Sequence, residues 1–277
     1  LGVRFSPKLI ANKFGKNAKI IAIDIDSGEL NDGLVKLNLK INCDIKYFFS
    51  KIKGKKINVE KNWLLECNKE KKNNYRNYSE LPKSQRNNFV NPYDFTESLS
   101  KLVNRDAILL TDAGANLTFF MQSFQTSDQQ RIISAWGNSP MGYSIAAGVG
   151  AKIAESKKQV ISLIGDGSFL MHLGSIPIIA KYKRKNFRYI LLNNGAHESV
   201  GGQKTVALNI NLEELSKNLG FSSQFSTKDP DYLAKNFKKI IDNNSNSFLE
   251  IKINLEDGDD LPRPENLKLL KENFNIN

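Results

Sequence analysis

Three short runs of aliphatic and β-branched residues, each ending beside glycine and Asp or Asn, constrain the fold of this chain most. They cover residues 107–112, 159–165 and 187–193. Runs this short, without the spacing of an amphipathic helix, predict buried strands. Helical spacing is found over residues 91–103, 142–154, 171–181 and 232–241, and a further strand pattern covers residues 247–253. Strands that alternate with helices predict an α/β fold, a parallel sheet with helices on both faces.

The first fifty residues show the same alternation on a smaller scale. Residues 19–26 and 35–41 predict two strands, residues 44–52 predict a helix capped by Asp44, and a further helical stretch is predicted near residues 7–14. Residues 53–88 are rich in Lys, Asn, Glu and Tyr and have weak periodicity, apart from a short helix expected at Trp63. The predicted domains are therefore a partial α/β unit at 1–52, a linker at 53–88 and the main domain at 89–277.

Composition excludes several classes of protein. The 277 residues include two cysteines, Cys43 and Cys67, which lie in unlike contexts without a CxxC pattern, so neither a disulfide framework nor a zinc site is predicted. No apolar run approaches the ~20 residues of a membrane span, and we expect a protein of the reducing cytoplasm. The net charge of +11 comes from scattered lysines among many asparagines, which disfavours nucleic-acid binding. The start at Leu1 rather than Met is compatible with a fragment of a longer protein, and a natural subunit is the alternative.

Polar residues follow each of the three buried strands. They form the sequences Asp112-Ala-Gly114, Gly165-Asp166-Gly167 and Asn193-Asn194-Gly195. In an open parallel sheet, ligands bind beyond the carboxyl ends of the strands. Glycines let the backbone approach a ligand, and Asp and Asn offer the oxygen ligands that Mg²⁺ prefers. The pattern indicates a magnesium-bound diphosphate at this edge of the sheet.

The spacing of these motifs is typical of one enzyme superfamily. Gly165-Asp166-Gly167, followed by 25 residues and then Asn193-Asn194, resembles the cofactor motif of thiamine-diphosphate-dependent 2-oxo-acid decarboxylases and acetolactate synthases. Residues 1–5, 23–29 and 43–46 resemble the closing part of the Rossmann-like central domain of acetolactate synthases. The resemblance implies the thiamine-diphosphate-binding fold at 89–277, with thiamine diphosphate and Mg²⁺ as cofactors.

The resemblance also implies a role for individual residues. Asp166 and Asn194 would bind Mg²⁺ through their side chains, and Ala196 through its backbone carbonyl. Met141 would hold the cofactor bent, and the backbone around Ser139 would meet the aminopyrimidine ring. The remaining predicted cofactor contacts are Gly165, Gly167, Ser168 and Asn193.

The residues expected to border the substrate resemble those of a narrower group within the superfamily. Residues 171–174 and 193–205 resemble phosphonopyruvate decarboxylase and, more distantly, sulfopyruvate decarboxylase. His197 and His172 are the candidate acid-base or anion-binding groups, because the unperturbed pKa of histidine lies near neutrality; each could instead be a packed or surface residue. Glu198, Gln203 and Lys204 could contact a second acidic group of the substrate or simply solvate a loop. Asp112 could touch the substrate or be a plain loop acid.

The function predicted from the resemblance is decarboxylation of a small 2-oxo acid, phosphonopyruvate-decarboxylase-like. Acetolactate-synthase-like carboligation and a non-catalytic cofactor-binding half are the alternatives. In this superfamily a Glu of an N-terminal pyrimidine-binding domain in a neighbouring subunit activates the cofactor. No segment of this chain resembles that domain, so we expect an oligomer or a complex with a separate pyrimidine-binding domain or subunit.

Overall fold

The computed structural model describes residues 1–3, 15, 17–56, 59–74, 89–178 and 185–253, without the side chains of 70–74. They belong to two compact units, one within residues 1–69 and the other within residues 70–260. The helix predicted near residues 7–14 lies outside the described residues. The part of the chain that the structure describes contains no helix long and apolar enough to cross a membrane.

The first unit contains a small parallel sheet. Strands β1 (Ile21–Asp24) and β2 (Leu39–Asn42) pair with Ile21 opposite Leu39, and helices α1 (Ser27–Asn31) and α2 (Ile45–Ile52) follow them. Asp44 caps α2 by accepting a hydrogen bond from the Lys46 amide at 2.6 Å, as predicted. Helix α3 (Lys61–Asn74) has 14 residues within the predicted linker 53–88 and is longer than the short helix expected at Trp63.

The second unit is built on a six-stranded sheet. Its strands are β3 (Ile108–Thr111), β4 (Arg131–Ile133), β5 (Val160–Gly165), β6 (Phe187–Asn193), β9 (Ser223–Thr227) and β10 (Asn246–Lys252). Its helices are α4 (Pro92–Leu102), α5 (Ala115–Ser123), α6 (Tyr143–Ala154), α7 (Asp166–Met171), α8 (Leu212–Asn218) and α9 (Pro230–Asp242). A short antiparallel hairpin, β7 (Ala196–His197) and β8 (Gln203–Lys204), lies between β6 and α8. Every strand pair of the large sheet is parallel, which confirms the predicted fold class.

The helix predicted at residues 171–181 begins later than expected: residues 172–176 are not α-helical, whereas residues 177 and 178 are. Helix α7 begins at Asp166, directly after β5, and a 3₁₀ turn (Leu173–Ser175) follows it. The extended Gly165 ends the strand, and an acidic residue in the first turn suits the positive end of a helix. His172 has φ −121° and ψ 23°, which are not helical values, and ends the helix there. Residues 179–184 lie outside the described part of the chain.

The strand order explains where a ligand could bind. The order is β4-β3-β5-β6-β10-β9, so the chain leaves β3 for β4 on one side and returns past β3 to β5 on the other. Right-handed crossovers in opposite directions put α5 and α6 on opposite faces of the sheet. The carboxyl ends of β3 and β5 therefore flank the topological switch point, where open α/β sheets bind ligands.

The core of this unit is the buried sheet itself. All residues of β3 and β6 are buried, which explains their continuous apolar runs, because parallel strands are covered on both faces. Arg188 on β6 is buried and donates hydrogen bonds to the carbonyls of Ile240, Ile241 and Ser245 at 3.1, 3.0 and 2.5 Å. Its guanidinium thus satisfies carbonyls at the end of α9 and in the following turn. Burial lowers the pKa of Arg188 to about 10, although Asp242 opposes this.

We expect Arg188→Met to lower the free energy of unfolding by about 3 kcal/mol or more, because it leaves buried carbonyls without donors. Urea denaturation followed by circular dichroism measures this. Lys101→Met is the control: Lys101 pairs with Glu97 at 2.6 Å on the surface, and its side chain is 64% exposed. Its effect should stay within about 1 kcal/mol. Equal losses in the two variants would contradict a capping role for Arg188.

Candidate functional site

The carboxylate of Asp112 joins three segments at the switch point. Asp112 follows β3, is fully buried, and accepts hydrogen bonds from the amides of Gly142 at 2.7 Å and Ser144 at 3.5 Å. The Ser168 side chain at the start of α7 also hydrogen-bonds to it. Burial raises the pKa of Asp112, and these hydrogen bonds oppose the rise. Asp112 is therefore neither a plain loop acid nor a free group, because it caps α6 and binds Ser168.

Gly142 brings the segment before α6 against His172. The residue has φ +85°, a left-handed conformation that glycine adopts without steric cost. A Cβ placed on Gly142 would lie 2.0 Å from Cδ2 of His172, so the imidazole packs directly on this backbone. His172 is half-buried. The structure thus brings this predicted histidine beside the Met141–Gly142 segment.

The glycine loop after β5 lies against two other predicted residues. A Cβ on Gly167 would lie 2.5 Å from Cε1 of His197 and 3.4 Å from Cε of Met141. The next residue, Ser168, is buried. The residue before α7, Gly165, offers no side chain to cap the helix, and the amides of Asp166 and Gly167 hydrogen-bond to the Asp166 carboxylate itself. The structure therefore brings Met141, Gly167 and His197 together at the start of α7.

Asp166 is a buried carboxylate with His197 near it and with no Lys or Arg partner among the described residues. It is 2% exposed, and its Oδ2 accepts a hydrogen bond from the Thr205 hydroxyl. Burial raises the pKa of Asp166, while Thr205, two backbone amides and the charge of His197 oppose the rise. Among the described residues, no Lys or Arg forms an ion pair with it. A desolvated carboxylate in such surroundings gains from a bound cation.

The turn after β6 lies next to Asp166. The Thr205 amide donates to the Gly195 carbonyl at 2.8 Å, so Thr205 contacts both this turn and the carboxylate. Within the turn, Oδ1 of Asn194 accepts from the Ala196 amide at 3.1 Å, and Nδ2 donates to Glu198 at 3.1 Å. An amide oxygen has two lone pairs, so Asn194 Oδ1 retains one for a ligand.

Asn193 points in the opposite direction from Asn194. Its Nδ2 donates to Oε1 of Glu250 at 2.7 Å, and its Oδ1 accepts from the Gly195 amide at 3.1 Å. The predicted cofactor contact of Asn193 stays a prediction, and both polar atoms of its side chain already bind protein groups. Asn193 is 2% exposed.

Two predicted regions lie at the rim of the site. Ser139 is exposed with φ +43°, and its hydroxyl donates to the Trp136 carbonyl at 3.1 Å. In the hairpin, His197 pairs with Gln203, and Ala196 pairs with Lys204. Gln203 and Lys204 are exposed, whereas His197 is half-buried against Gly167.

The donors at this edge suit Mg²⁺ and a diphosphate. Asp166 and Asn194 offer a carboxylate and an amide oxygen, and Ala196 offers a backbone carbonyl, all hard oxygen ligands. The first-turn amides of α7 are hydrogen-bond donors of the kind that a phosphate requires. The described residues contain no group of three or more His, Cys, Asp or Glu side chains placed to hold a metal. The fit to the two cofactors rests on these carboxylate, amide and carbonyl oxygens together with the buried Asp166 carboxylate, which has no Lys or Arg partner among the described residues.

Sequence reasoning missed three residues of this network: Thr205, Ser144 and Glu250. Nothing in the local sequence marks Thr205 or Ser144, because their partners are 39 and 32 residues away. Glu250 had a signal, since a single acid interrupts the apolar run of a predicted buried strand.

We expect Gly142→Ala to lower the free energy of unfolding by about 2 kcal/mol or more, from left-handed strain and the clash with His172. Urea denaturation measures it. Gly150→Ala is the matched control in the same helix, because a Cβ there meets nothing within 4 Å. It should be neutral or stabilise the protein by up to about 1 kcal/mol. Equal stabilities of the two variants would contradict the packing of His172 on Gly142.

Known proteins are similar to this chain in sequence. Residues 112–251 match the family described as thiamine pyrophosphate enzyme, C-terminal TPP binding domain. The acetolactate synthase large subunit of Lactococcus lactis is 29% identical over 198 residues, which are 70% of this chain and 33% of that protein. The sulfopyruvate decarboxylase subunit beta of Methanocaldococcus jannaschii is 32% identical over 119 residues, covering 43% of this chain and 61% of the relative.

A solved structure shares the fold. The thiamine diphosphate-dependent 4-hydroxybenzoylformate decarboxylase of Rhodococcus jostii RHA1 aligns with a TM-score of 0.67 and 17% identity, over 86% of this chain and 44% of that one. The chain spans about a third of the length of the acetolactate synthases it matches. The family match begins at Asp112, includes both motifs of the site and ends in β10. The chain therefore belongs to the thiamine pyrophosphate enzymes and carries their C-terminal TPP-binding domain.

Proposed function

We propose that this chain is the magnesium- and diphosphate-binding part of an enzyme that decarboxylates a small 2-oxo acid, phosphonopyruvate-decarboxylase-like. One observation carries the cofactor site: Asp166 is buried with no Lys or Arg partner among the described residues, and Thr205 connects it to the turn that bears Asn194. In the proposal, residues 89–277 form this cofactor domain, and residues 1–52 form part of a central domain that residues 53–88 join to it.

The proposed cofactor contacts follow the positions of the residues. Mg²⁺ is held by Asp166, Asn194 and the carbonyl of Ala196. The diphosphate meets the backbone of Gly165, Gly167 and Ser168, and Met141 and the backbone around Ser139 contact the rest of the cofactor, with Asn193 supporting the turn. Thiamine diphosphate, when bound, supplies the electron sink that decarboxylation of a 2-oxo acid requires.

His197 and His172 lie on two sides of this site. His197 packs on Gly167, and His172 packs on Gly142. A half-buried imidazole can give or take a proton near neutral pH, so we propose both as acid-base or anion-binding groups, with His197 nearer the glycine loop. The alternative is that each ring only fills space in the protein. The packing of His172 on Gly142 fits that structural role as well.

Two kinds of relative support different substrates. The sulfopyruvate decarboxylase subunit beta is similar to 43% of this chain, and its name states a 2-oxo acid with a second acidic group. The exposed donors Gln203 and Lys204 beside His197 suit such a group. The acetolactate synthases align over more of the chain, 70%, and support carboligation as the alternative.

A partner is part of the proposal. Val200, Val206 and Leu208 around the hairpin are 72, 63 and 61% exposed. Apolar side chains in such a cluster suit a covering surface, and we propose a pyrimidine-binding domain or subunit as that cover, in a homo-oligomer or a complex. A non-catalytic cofactor-binding half is the alternative. The cytoplasmic location is likewise proposed, in keeping with the free thiols of Cys43 and Cys67.

The cofactor site predicts magnesium-dependent binding of thiamine diphosphate, measured by calorimetry on the protein containing this chain. Asp166→Asn should weaken the uptake of thiamine diphosphate by about 10- to 100-fold, because it removes the negatively charged ligand of Mg²⁺. Asp229→Asn is the control, since Asp229 is an exposed cap of α9 and Asn caps nearly as well. Uptake that is independent of Mg²⁺, or equal in both variants, would contradict the proposed metal site.

The substrate is tested by measuring carbon dioxide release from phosphonopyruvate, sulfopyruvate and pyruvate. The same protein is used, with a pyrimidine-binding domain or subunit supplied. We expect faster carbon dioxide release from phosphonopyruvate, and Gln203→Leu should reduce that preference by removing a donor. Acetolactate formation from pyruvate, with no preference for phosphonopyruvate, would favour the carboligase. If the cofactor binds normally but no substrate is turned over, the result would favour the alternative that this chain is a non-catalytic cofactor-binding half.

A further inference from the structure

Glu250 is a buried carboxylate one strand away from the site. It lies on β10, between β6 and β9, and is 3% exposed. Oε1 accepts from Nδ2 of Asn193 at 2.7 Å, and Oε2 accepts from the Ser226 hydroxyl at 2.6 Å. Both donors are neutral. Within the described part of the chain, no Lys or Arg pairs with Glu250.

Stability alone is a poor reason for an acid at this position. Taking a carboxylate out of water costs several kcal/mol, which neutral donors repay in part. Phe248 and Ile251 beside it on β10 are fully buried, so an apolar side chain would suit the surroundings. Replacing a buried charged group together with its partners by apolar residues of similar volume is often neutral or stabilising. The presence of Glu250 therefore calls for another role.

Asn193 is the residue that Glu250 acts on. The Asn193 carbonyl accepts from the Ile253 amide at 2.9 Å, which fixes its backbone to the end of β10. Its side chain has a donor end, at Glu250, and an acceptor end, at the Gly195 amide. The next residues of this turn are Asn194 and Ala196, the proposed magnesium ligands.

A carboxylate accepts hydrogen bonds and cannot donate them when ionised. Opposite Glu250, the Asn193 amide can therefore place only its NH₂ group towards β10, and its oxygen must face Gly195. A glutamine at 250 would remove this constraint, because its own NH₂ can face the Asn193 oxygen. The Asn193 amide would then be free to reverse, and the Gly195 amide would lose its acceptor.

We propose that Glu250 is a positioning residue for the magnesium site: it orients the Asn193 amide, which holds the Gly195 turn and so places Asn194 and Ala196. The inference rests on the proposed function, because it needs these residues to bind Mg²⁺. Mutating a residue that orients a metal ligand through hydrogen bonds typically weakens metal affinity by about 10- to 100-fold.

The test measures two quantities in the protein containing this chain: the Mg²⁺ affinity at saturating thiamine diphosphate, and hydrogen exchange of the Gly195 amide without cofactor. Glu250→Gln should weaken Mg²⁺ by about 10-fold or more and speed exchange at Gly195. Asn193→Asp with Glu250→Gln exchanges donor and acceptor and keeps every hydrogen bond and the net charge. This double variant should return both quantities close to wild type.

The matched control is Asn246→Asp on the same strand, about 13 Å from Glu250 at the rise of a β-strand. Asn246 is buried and donates to the Gly220 carbonyl at 3.2 Å, so its loss should lower stability and leave Mg²⁺ affinity unchanged. Equal weakening by both single variants, or wild-type Mg²⁺ affinity in Glu250→Gln, would overturn the positioning role while the proposed function stands.

Two further outcomes are decisive. If Glu250→Gln does not fold, the double variant must still bind Mg²⁺ like wild type, and a tenfold loss in it would overturn the inference. If the wild-type protein takes up no thiamine diphosphate with Mg²⁺, the proposed function fails, and the metal role of Glu250 fails with it. Gly195 exchange, measured without cofactor, separates a turn that is disordered from a turn that binds no metal.

Discussion

The hydrogen bonds of the Asp112 carboxylate are the contacts on which the site depends. The strand order separates the loops after β3 and β5 at the switch point, because one leads to β4 and the other to β6. Asp112 spans this separation by binding the Gly142 and Ser144 amides before α6 and the Ser168 side chain on α7. A hydrogen bond to a charged group contributes about 1.5–3 kcal/mol, and three of them offset much of the cost of burying the acid. The positions of Met141 and the glycine loop follow from these bonds.

Three buried carboxylates near the ends of the strands differ in how their charge is compensated. Asp112 binds amides of a helix start and a serine, so its acceptors are used inside the protein. Glu250 binds one amide and one hydroxyl, and it faces the sheet rather than its edge. Asp166 has Thr205 and backbone amides, and its burial raises its pKa. Of the three, Asp166 is the one that Thr205 connects to the turn bearing Asn194, and a divalent cation at Asp166 would offset the cost of its desolvation.

The local sequence predicted the elements that carry long apolar runs and left the rest open. β5, β6 and α6 were found within a residue or two, because a buried parallel strand and a small-residue helix each leave a strong pattern. β4 has three residues and β9 is half-buried, so neither leaves such a pattern. The motif residues Asp166 and Asn194 were recognisable by spacing, whereas Thr205 left no signal and Glu250 was marked only as a single acid in an apolar run. Their roles depend on contacts between strands that are distant in sequence, which no local pattern encodes.

The architecture separates cofactor binding from substrate choice. The proposed magnesium and diphosphate ligands come from the ends of β5 and β6, and both ends lie within the residues that match the thiamine pyrophosphate enzyme family. The hairpin is a separate element, yet the Thr205 amide closes it on Gly195, and the Gly202 amide closes it on the His197 carbonyl at 3.0 Å. A hairpin anchored at its base keeps His197 and Gln203 side by side. In the proposed function, changes of side chain at these positions alter the substrate without disturbing the proposed metal ligands, so one cofactor-binding edge would suit either decarboxylation or carboligation.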